Sequence, residues 1–429
     1  MVLGMRRQQN HDATVSSLLT SFLIQGITLV SGVLLARILG PEERGTFQVF
    51  ALIPLALTQL GMLGLPQAVT YYIAREPAAA GAIIRGLTRT FWTTGLGLMG
   101  LQALLLGVLV LNDSAEIQLV ALLVTLAIPG SLCLHLGLAI LQGKQEFQVF
   151  NLLRTSYLFL YAVALVPLFL VGPGDIVLTA SAWTGSYLLG GLVTLAVALR
   201  SVQAETRKET FAAVAEIRRF GRRSVGGSLN PIETLRLDQF IVAIFVGPVA
   251  LGLYVVGLSF TNLPRFVAQS IGNVAYPKIA AESQGQLRTA FRFMLLTAGA
   301  CGVILLVMQA AIGWAVPFFF GVEFSGAIGM ARILLLSAFL FSMRRVLNDC
   351  VRGMGRPEWG AIAEVTSWVA LLPGLALLLP ASGAEGAAWA LVAASAVGLC
   401  VLSYLTIRNQ GAPGVKVSID QPEAVVPAA

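Results

Sequence analysis

Polar residues interrupt this chain at long and fairly even intervals. Between them run apolar stretches of about 20 residues, the length an α-helix needs to cross the hydrocarbon of a bilayer. Twelve can be drawn: 15–36, 47–74, 90–111, 117–141, 148–171 and 176–199, then 224–246, 250–275, 289–318, 325–342, 359–379 and 386–407. The pattern predicts an all-α polytopic membrane protein, with twelve transmembrane helices in two six-helix bundles at 15–199 and 224–407. A basic link, 200–223, joins the bundles. Residues 1–14 and 408–429 are polar or Pro/Ala-rich tails without core-forming runs.

The two bundles share a phrase. Gly40-Pro41, three residues, Gly45, one residue and Phe47 recur as Gly247-Pro248, three residues, Gly252, one residue and Tyr254, at an offset of 207. Leu141-Gln142-Gly143 before Glu146-Phe147 resembles Val351-Arg352-Gly353 before Glu358-Trp359 at nearly the same offset. Duplicated halves in an apolar chain are a signature of transporters. Six spans per half is an even number, so both halves enter from one side, related by a pseudo-two-fold axis along the membrane normal. Gly40, Pro41, Gly45, Gly247, Pro248 and Gly252 read as structural turns, where Pro sets φ and Gly permits positive φ or close packing.

Composition sharpens the class. The chain is 57% hydrophobic and 11% charged, with mean hydropathy +0.82, against roughly 25% charged residues in a soluble domain. The net charge of +7 lies in the gaps between apolar runs, a pattern of membrane topology rather than of nucleic-acid binding. With the N-terminus in the cytoplasm, 23 of the 28 Lys and Arg fall in cytoplasmic segments, and only Arg37 and Arg44 in external loops. Both termini are therefore expected in the cytoplasm. The first run follows Arg6 and Arg7 and lacks an A-x-A site, so it reads as an uncleaved span. Cys133, Cys301, Cys350 and Cys400 are far apart, and with only His11 and His135 no metal site or disulfide framework is expected. In the link, Phe211, Ile217 and Phe220 lean to one side of a helix that ends in Arg218, Arg219, Arg222 and Arg223. This is the pattern of a basic amphipathic helix lying on anionic lipid.

Charge inside a span costs at least about 2.5–3.5 kcal/mol per residue, which makes such residues the first candidates for function. Glu233, Arg236 and Asp238 follow Asn230-Pro231 in the seventh run, Arg236 about mid-bilayer by its position. Arg265, Arg154 and Arg332 lie in other runs, with the neutral polar groups Gln25, Gln59 and Asn262. Arginine suits a phosphate or pyrophosphate, because its planar fork donates paired hydrogen bonds. These residues are the candidates for lining a substrate cavity. Asp238, Glu233 and Glu364 are candidates for H⁺ or Na⁺ coupling. The competing reading is structural: Glu233 and Arg236 neutralise each other, Arg154 and Arg332 snorkel, and Asp238 caps a neighbour.

Leu34-Leu35-Ala36-Arg37-Ile38-Leu39-Gly40-Pro41-Glu42-Glu43-Arg44-Gly45-Thr46-Phe47 resembles the ARxLGPxxxGxF/Y opening of the polysaccharide-export, O-antigen-type flippases. These belong to the multidrug/oligosaccharidyl-lipid/polysaccharide (MOP) exporter superfamily. Leu237-Asp238, Val246-Gly247-Pro248, Gly252-Leu253-Tyr254 and Gly353-Met354-Gly355 resemble further signatures of that family. The resemblance spans nearly the whole chain, from about residue 12 to 407. It implies a non-enzymatic flippase of the bacterial cytoplasmic (inner) membrane. Such a protein carries undecaprenyl-pyrophosphate-linked oligosaccharide from the inner to the outer leaflet by alternating access, needs no cofactor, and works beside other polysaccharide-assembly proteins. A drug/cation antiporter of the same superfamily, and a membrane-embedded glycan enzyme, are the alternatives. The first should have a net acidic cavity, and the second a large external loop; the longest external gap here is about ten residues.

Overall fold

The computed structural model describes residues 2–172, 174–203, 214–228, 236–282 and 284–408, with side chains left undescribed for a few of these, chiefly 2–18 and 223–228. Among them there is no strand. Fourteen α-helices follow in order: α1 Val2–Gly61, α2 Leu65–Arg75, α3 Ala80–Leu109, α4 Ala115–Thr125, α5 Ala127–Gly143, α6 Phe147–Val171, α7 Ile176–Gln203, α8 Val214–Ser228, α9 Leu237–Phe245, α10 Pro248–Ser259, α11 Asn262–Ala281, α12 Gln286–Ala315, α13 Ala327–Gly353 and α14 Pro357–Arg408. The all-helical answer follows from the solvent: in hydrocarbon each backbone N–H and C=O must bond within its own segment.

Among the described residues eight helical segments are long and apolar enough to span a membrane, and α10 with α11, bent by 43°, make a ninth. Two of these segments contain a reversal. Helix α1 breaks at Gly40 (φ 68°) and α14 at Gly383 (φ 56°), a region of φ where glycine carries no Cβ penalty. After Gly40 the chain doubles back, because Arg44 Nη1 donates to the Gly32 carbonyl at 3.0 Å. A continuous helix would separate those residues by about 18 Å. The same holds in α14, where a methyl on Gly374 would lie 3.2 Å from the Ala390 Cβ. Splitting both helices raises the count to eleven. The remaining expected run, 224–246, falls partly outside the described residues.

Boundaries moved where a local signal outweighed hydropathy. The expected run 47–74 is broken at 62–64, with Leu63 (φ 44°) and Gly64 (φ 71°) left-handed, and α2 starts with Pro66 in its first turn. Helix α3 starts ten residues before the expected 90, and α13 runs eleven past the expected 342. Arg344, Arg345 and Arg352, which lie past the expected end of that run, are therefore helical.

The chain divides into two compact units, Met1–Val256 with Val316–Ser325, and Gly257–Ala315 with Gly326–Ala429. In the first, α5 and α7 approach backbone to backbone. A methyl on Gly137 would lie 2.9 Å from the Leu195 N, and one on Gly191 would lie 2.8 Å from the Gly130 carbonyl carbon. Small residues are what permit such proximity in lipid, where apolar side chains gain little by leaving the bilayer. Ile73, Ile83, Leu87, Ile128, Leu132 and Ile140 fill one core, and Leu106, Val120, Val124, Leu165 and Ile176 a second. In the second unit α13 is central: Ala331, Leu334, Leu335, Ala338, Val346 and Cys350 are buried against α11, α12 and α14. Outward faces such as Leu104, Val108, Leu109, Leu295, Val303 and Leu306 remain exposed, as lipid-facing positions should.

The two Gly-Pro phrases pack on one another within the first unit. A methyl on Gly45 would collide with the Pro248 carbonyl, 2.5 Å from its carbon, and one on Gly252 with the Pro41 carbonyl, 3.0 Å from its carbon. Each motif's second glycine thus sits beneath the other's proline, a self-complementary contact like that of a two-fold interface.

The link departs from the expected lipid-lying helix over the part described. Ile217 is fully buried among Ile73, Leu87 and Ile140. Phe220 stacks on Tyr71 at 4.5 Å and 18°. The apolar face of α8 therefore packs on protein, chiefly α2, because Tyr71 and Tyr72 offer a complementary surface. Phe211 lies outside the described residues.

Candidate functional site: a polar and aromatic cluster in the first unit

Five helices of the first unit bring polar and aromatic groups together. The returning limb of α1 supplies Arg44, Phe47 and Gln48, which share a face at spacings of three and four. Helix α6 supplies Tyr157 and Tyr161, and α7 supplies Trp183 and Tyr187, each pair four apart. Helix α9 supplies Asp238 and Gln239, and α10 supplies Tyr254.

Asp238 is 1% exposed, and Tyr254, itself fully buried, donates its hydroxyl to the Asp238 Oδ2 at 2.9 Å. A carboxylate taken from water needs such donors. Gln48 Nε2 donates to the Gln239 Oε1 at 3.0 Å. Arg44 is buried; besides its bond to Gly32 it lies close enough to Tyr161 to interact electrostatically. The Arg44 Nε and the Tyr161 hydroxyl are buried without a hydrogen-bond partner among the described residues. The Tyr157 and Tyr187 rings lie 4.7 Å apart. Trp183 contacts Tyr187 at 4.8 Å and meets Phe47 edge-on at 6.1 Å.

Arg236 opens α9 in the left-handed region (φ 53°), exposed, its carbonyl accepting from the Gln239 N at 3.0 Å. Its guanidinium acts electrostatically on Tyr187, which attaches it to the same cluster. Of the sequence candidates, then, the structure joins Arg236 and Asp238. Glu233 lies outside the described residues. Gln25 is half-buried on α1. Gln59 is exposed and reaches His135 at 3.4 Å. Arg154 donates to the Ser21 Oγ at 3.2 Å and sits over Phe150.

In the second unit, Arg265 and Arg344 both lie over the Phe341 ring, at 5.2 and 5.1 Å. Arg344, 5% exposed, pairs with Glu364 at 3.0 Å and donates to the Ser367 Oγ at 2.5 Å. Glu364 also accepts from the Trp368 Nε1 at 3.0 Å. Glu364 is thus held in a specific ion pair. Asn262 begins α11 half-buried, and Arg332 is exposed on α13.

Sequence reasoning missed Arg44, Gln48, Gln239, Arg344 and the tyrosines. Arg44 was assigned to an external loop, yet the reversal at Gly40 turns it inward. The aromatic pairs four apart on α6 and α7 were a usable signal, although core packing produces the same spacing.

The polysaccharide biosynthesis protein family matches residues 12–283. At the sequence level no curated protein matches. Among solved structures, the lipid II flippase MurJ in an inward closed conformation superposes with TM-score 0.75 at 12% identity, over 92% of this chain and 87% of that one. A MATE protein in the straight conformation gives 0.62 at 14% identity, over 93% and 95%. The eukaryotic MATE transporter AtDTX14 gives 0.56 at 17%, over 91% and 96%. At these identities the likeness shows the fold alone. The family match covers well over half of the chain. This multi-pass chain belongs to the polysaccharide biosynthesis protein family.

Proposed function

We propose that this protein flips an undecaprenyl-pyrophosphate-linked oligosaccharide from the inner to the outer leaflet of a bacterial cytoplasmic membrane, with both termini in the cytoplasm. The observation that supports this reading is the cluster in the first unit. Tyr157, Tyr187 and Trp183 offer aromatic faces, Gln48 and Gln239 offer amides, and Arg44 and Arg236 supply positive charge. Aromatic faces and amides suit the apolar faces and hydroxyls of sugars, and a guanidinium suits a pyrophosphate. The unpartnered Arg44 Nε and Tyr161 hydroxyl are groups that cargo or water would satisfy. In the second unit Arg265 on Phe341 is the further candidate for the anionic group. The isoprenoid tail stays in lipid, where it costs nothing to solvate. Alternating access then needs only a cargo with different affinities for the two states.

Proteoliposomes given labelled lipid-linked oligosaccharide test this. Arg236→Ala and Arg265→Ala each lose at least about tenfold in flipping rate, the worth of one charge-assisted hydrogen bond, with normal protein levels. Arg→Lys recovers part of the rate, since it keeps charge and lacks the fork. Undiminished flipping by a stable double Arg→Ala protein refutes the assignment. The burial of Asp238 favours one elaboration, coupling to H⁺ or Na⁺, which is taken up below.

A further inference from the structure

A cavity of about 350 Å³ lies in the first unit, apart from the cluster described above. Its walls are α8, α3 and the turn between α1 and α2. Arg218 and Arg222 on α8, four apart and so on one face, form one side, and Thr90, Thr93 and Thr94 on α3 form another. Met62, Leu63, Leu65, Phe91 and Leu132 supply an apolar floor. Arg218 hydrogen-bonds the Thr90 hydroxyl, so one guanidinium is already oriented. Gly221 makes the site possible, because a methyl there would lie 3.0 Å from the Leu63 carbonyl oxygen and push α8 away. Among the described residues no carboxylate lines the cavity.

Two guanidiniums and the threonine hydroxyls over an apolar floor match a phosphate attached to an apolar body.

We propose that this cavity binds a phosphate group, that of an anionic phospholipid headgroup, with the adjoining glycerol and upper chain on the Leu63–Phe91–Leu132 floor. Occupancy ties α8 to α3 and the 62–64 turn, fixing the end of the link on the first unit. The cavity is a site for a membrane lipid and stands whether or not the cargo reading is right.

Native mass spectrometry on the purified full-length protein tests it with phosphatidylglycerol, phosphatidylcholine and inorganic phosphate as probes. The wild type retains one phosphatidylglycerol in preference to phosphatidylcholine. Arg218→Gln/Arg222→Gln weakens that binding about tenfold or more. Arg85→Gln/Arg89→Gln, which removes the same charge from the start of α3 outside the cavity, leaves it unchanged. Arg222→Gln alone keeps the Arg218–Thr90 bond and gives an intermediate loss, which guards against misfolding of the double variant. Displacement of the lipid by millimolar phosphate supports a site in which the phosphate dominates; resistance to displacement supports a contribution from the apolar floor. Equal loss in the two double variants, or no preference for phosphatidylglycerol in the wild type, overturns the proposal.

Discussion

Replacing Gly45 by alanine separates two opposing effects whose sizes can be worked from the structure. Gly45 is helical, so alanine alone should stabilise by about 0.8–1 kcal/mol through helix propensity. Against this, the added methyl would sit 2.5 Å from the Pro248 carbonyl carbon and 3.0 Å from the Gly252 N, where ordinary contact begins near 3.4 Å. The obstacle is backbone on both counts, so no side chain can rotate away. The start of α10 must retreat by about 1 Å or the methyl must be accommodated by strain, a penalty of roughly 1–3 kcal/mol or more for overpacking. Contact this close with backbone puts the penalty at the upper end, so the clash wins and Gly45→Ala is destabilised by about 2 kcal/mol. Gly252→Ala should behave likewise, meeting the Pro41 carbonyl carbon at 3.0 Å and the Gly45 N at 3.2 Å. The two sites share one contact, so the double variant should cost less than the sum of the singles, because the first displacement makes room for the second methyl. Gly26→Ala is the control: it lies in α1 with nothing within 4 Å of the added methyl and should be neutral or stabilising. The assay is thermal unfolding of the purified protein in detergent, with protein level in membranes as a second readout. Gly45→Ala unfolding at or above the temperature of Gly26→Ala would refute the interlocked packing.

Glu364→Gln removes the charge facing the buried Arg344 guanidinium. Because Glu364 is 31% exposed, the loss should fall below the 3–5 kcal/mol of a fully buried pair, about 1–3 kcal/mol, read as a lower unfolding midpoint. Tyr254→Phe deletes the hydroxyl on Asp238 while keeping the ring, and should cost about 1.5–3 kcal/mol; an unchanged midpoint would show that the bond is not made. If Asp238 couples transport to an ion, an imposed H⁺ or Na⁺ gradient shifts the final inside-to-outside ratio of labelled cargo, and Asp238→Asn abolishes that shift while passive exchange continues. Ile217→Asp places a carboxylate in the core shared by α8 and α2 and should destabilise by at least about 2 kcal/mol, whereas a lipid-lying α8 would tolerate it with loss of membrane affinity alone.

The helical class and the Gly-Pro turns were legible because they rest on local rules. A 20-residue apolar run has few alternatives, and a Gly-Pro pair ends one helix and starts the next. Positions that depend on how helices meet were not legible. Counting cations by gap put Arg44 in a loop, since hydropathy carries no information on which way the limb after a reversal faces. The break at 62–64 had its signal in Gly61, Gly64 and Pro66, but the apolar run continued through it. The arginines at 344, 345 and 352 read as a helix end because charge normally marks one; here burial against Glu364 and Ser367 lets α13 continue with Arg344 inside. Asp238 and Arg236 stood out by cost alone. Their partners Tyr254 and Tyr187 did not, because a tyrosine in a span serves packing as readily as chemistry.

The duplication itself indicates where specialisation occurred. At the offset of 207, Gly45 matches Gly252 and Pro41 matches Pro248, and these positions meet each other in the fold. The polar positions do not match. Asp238 falls opposite Ser31, Gln239 opposite Gly32, Arg236 opposite Leu29, and Tyr254 opposite Phe47. The differences are paired. Where one copy has a buried carboxylate, its partner position has a tyrosine whose hydroxyl reaches it at 2.9 Å. Where the other copy has Ser31, whose hydroxyl is satisfied by its own helix at Ile27, the partner position is Phe47, which needs no acceptor. Exchanging one member alone would bury a carboxylate short of a donor, or a hydroxyl short of an acceptor, at about 1–3 kcal/mol either way. The shared contact constrains both copies to glycine and proline, whereas the deep polar pair exists in one copy only. That is the distribution expected if the turn holds the halves' architecture and a single polar cluster carries the chemistry. It also explains why Arg236 and Asp238, and no residue of the first repeat's matching stretch, stood out as charge within a span.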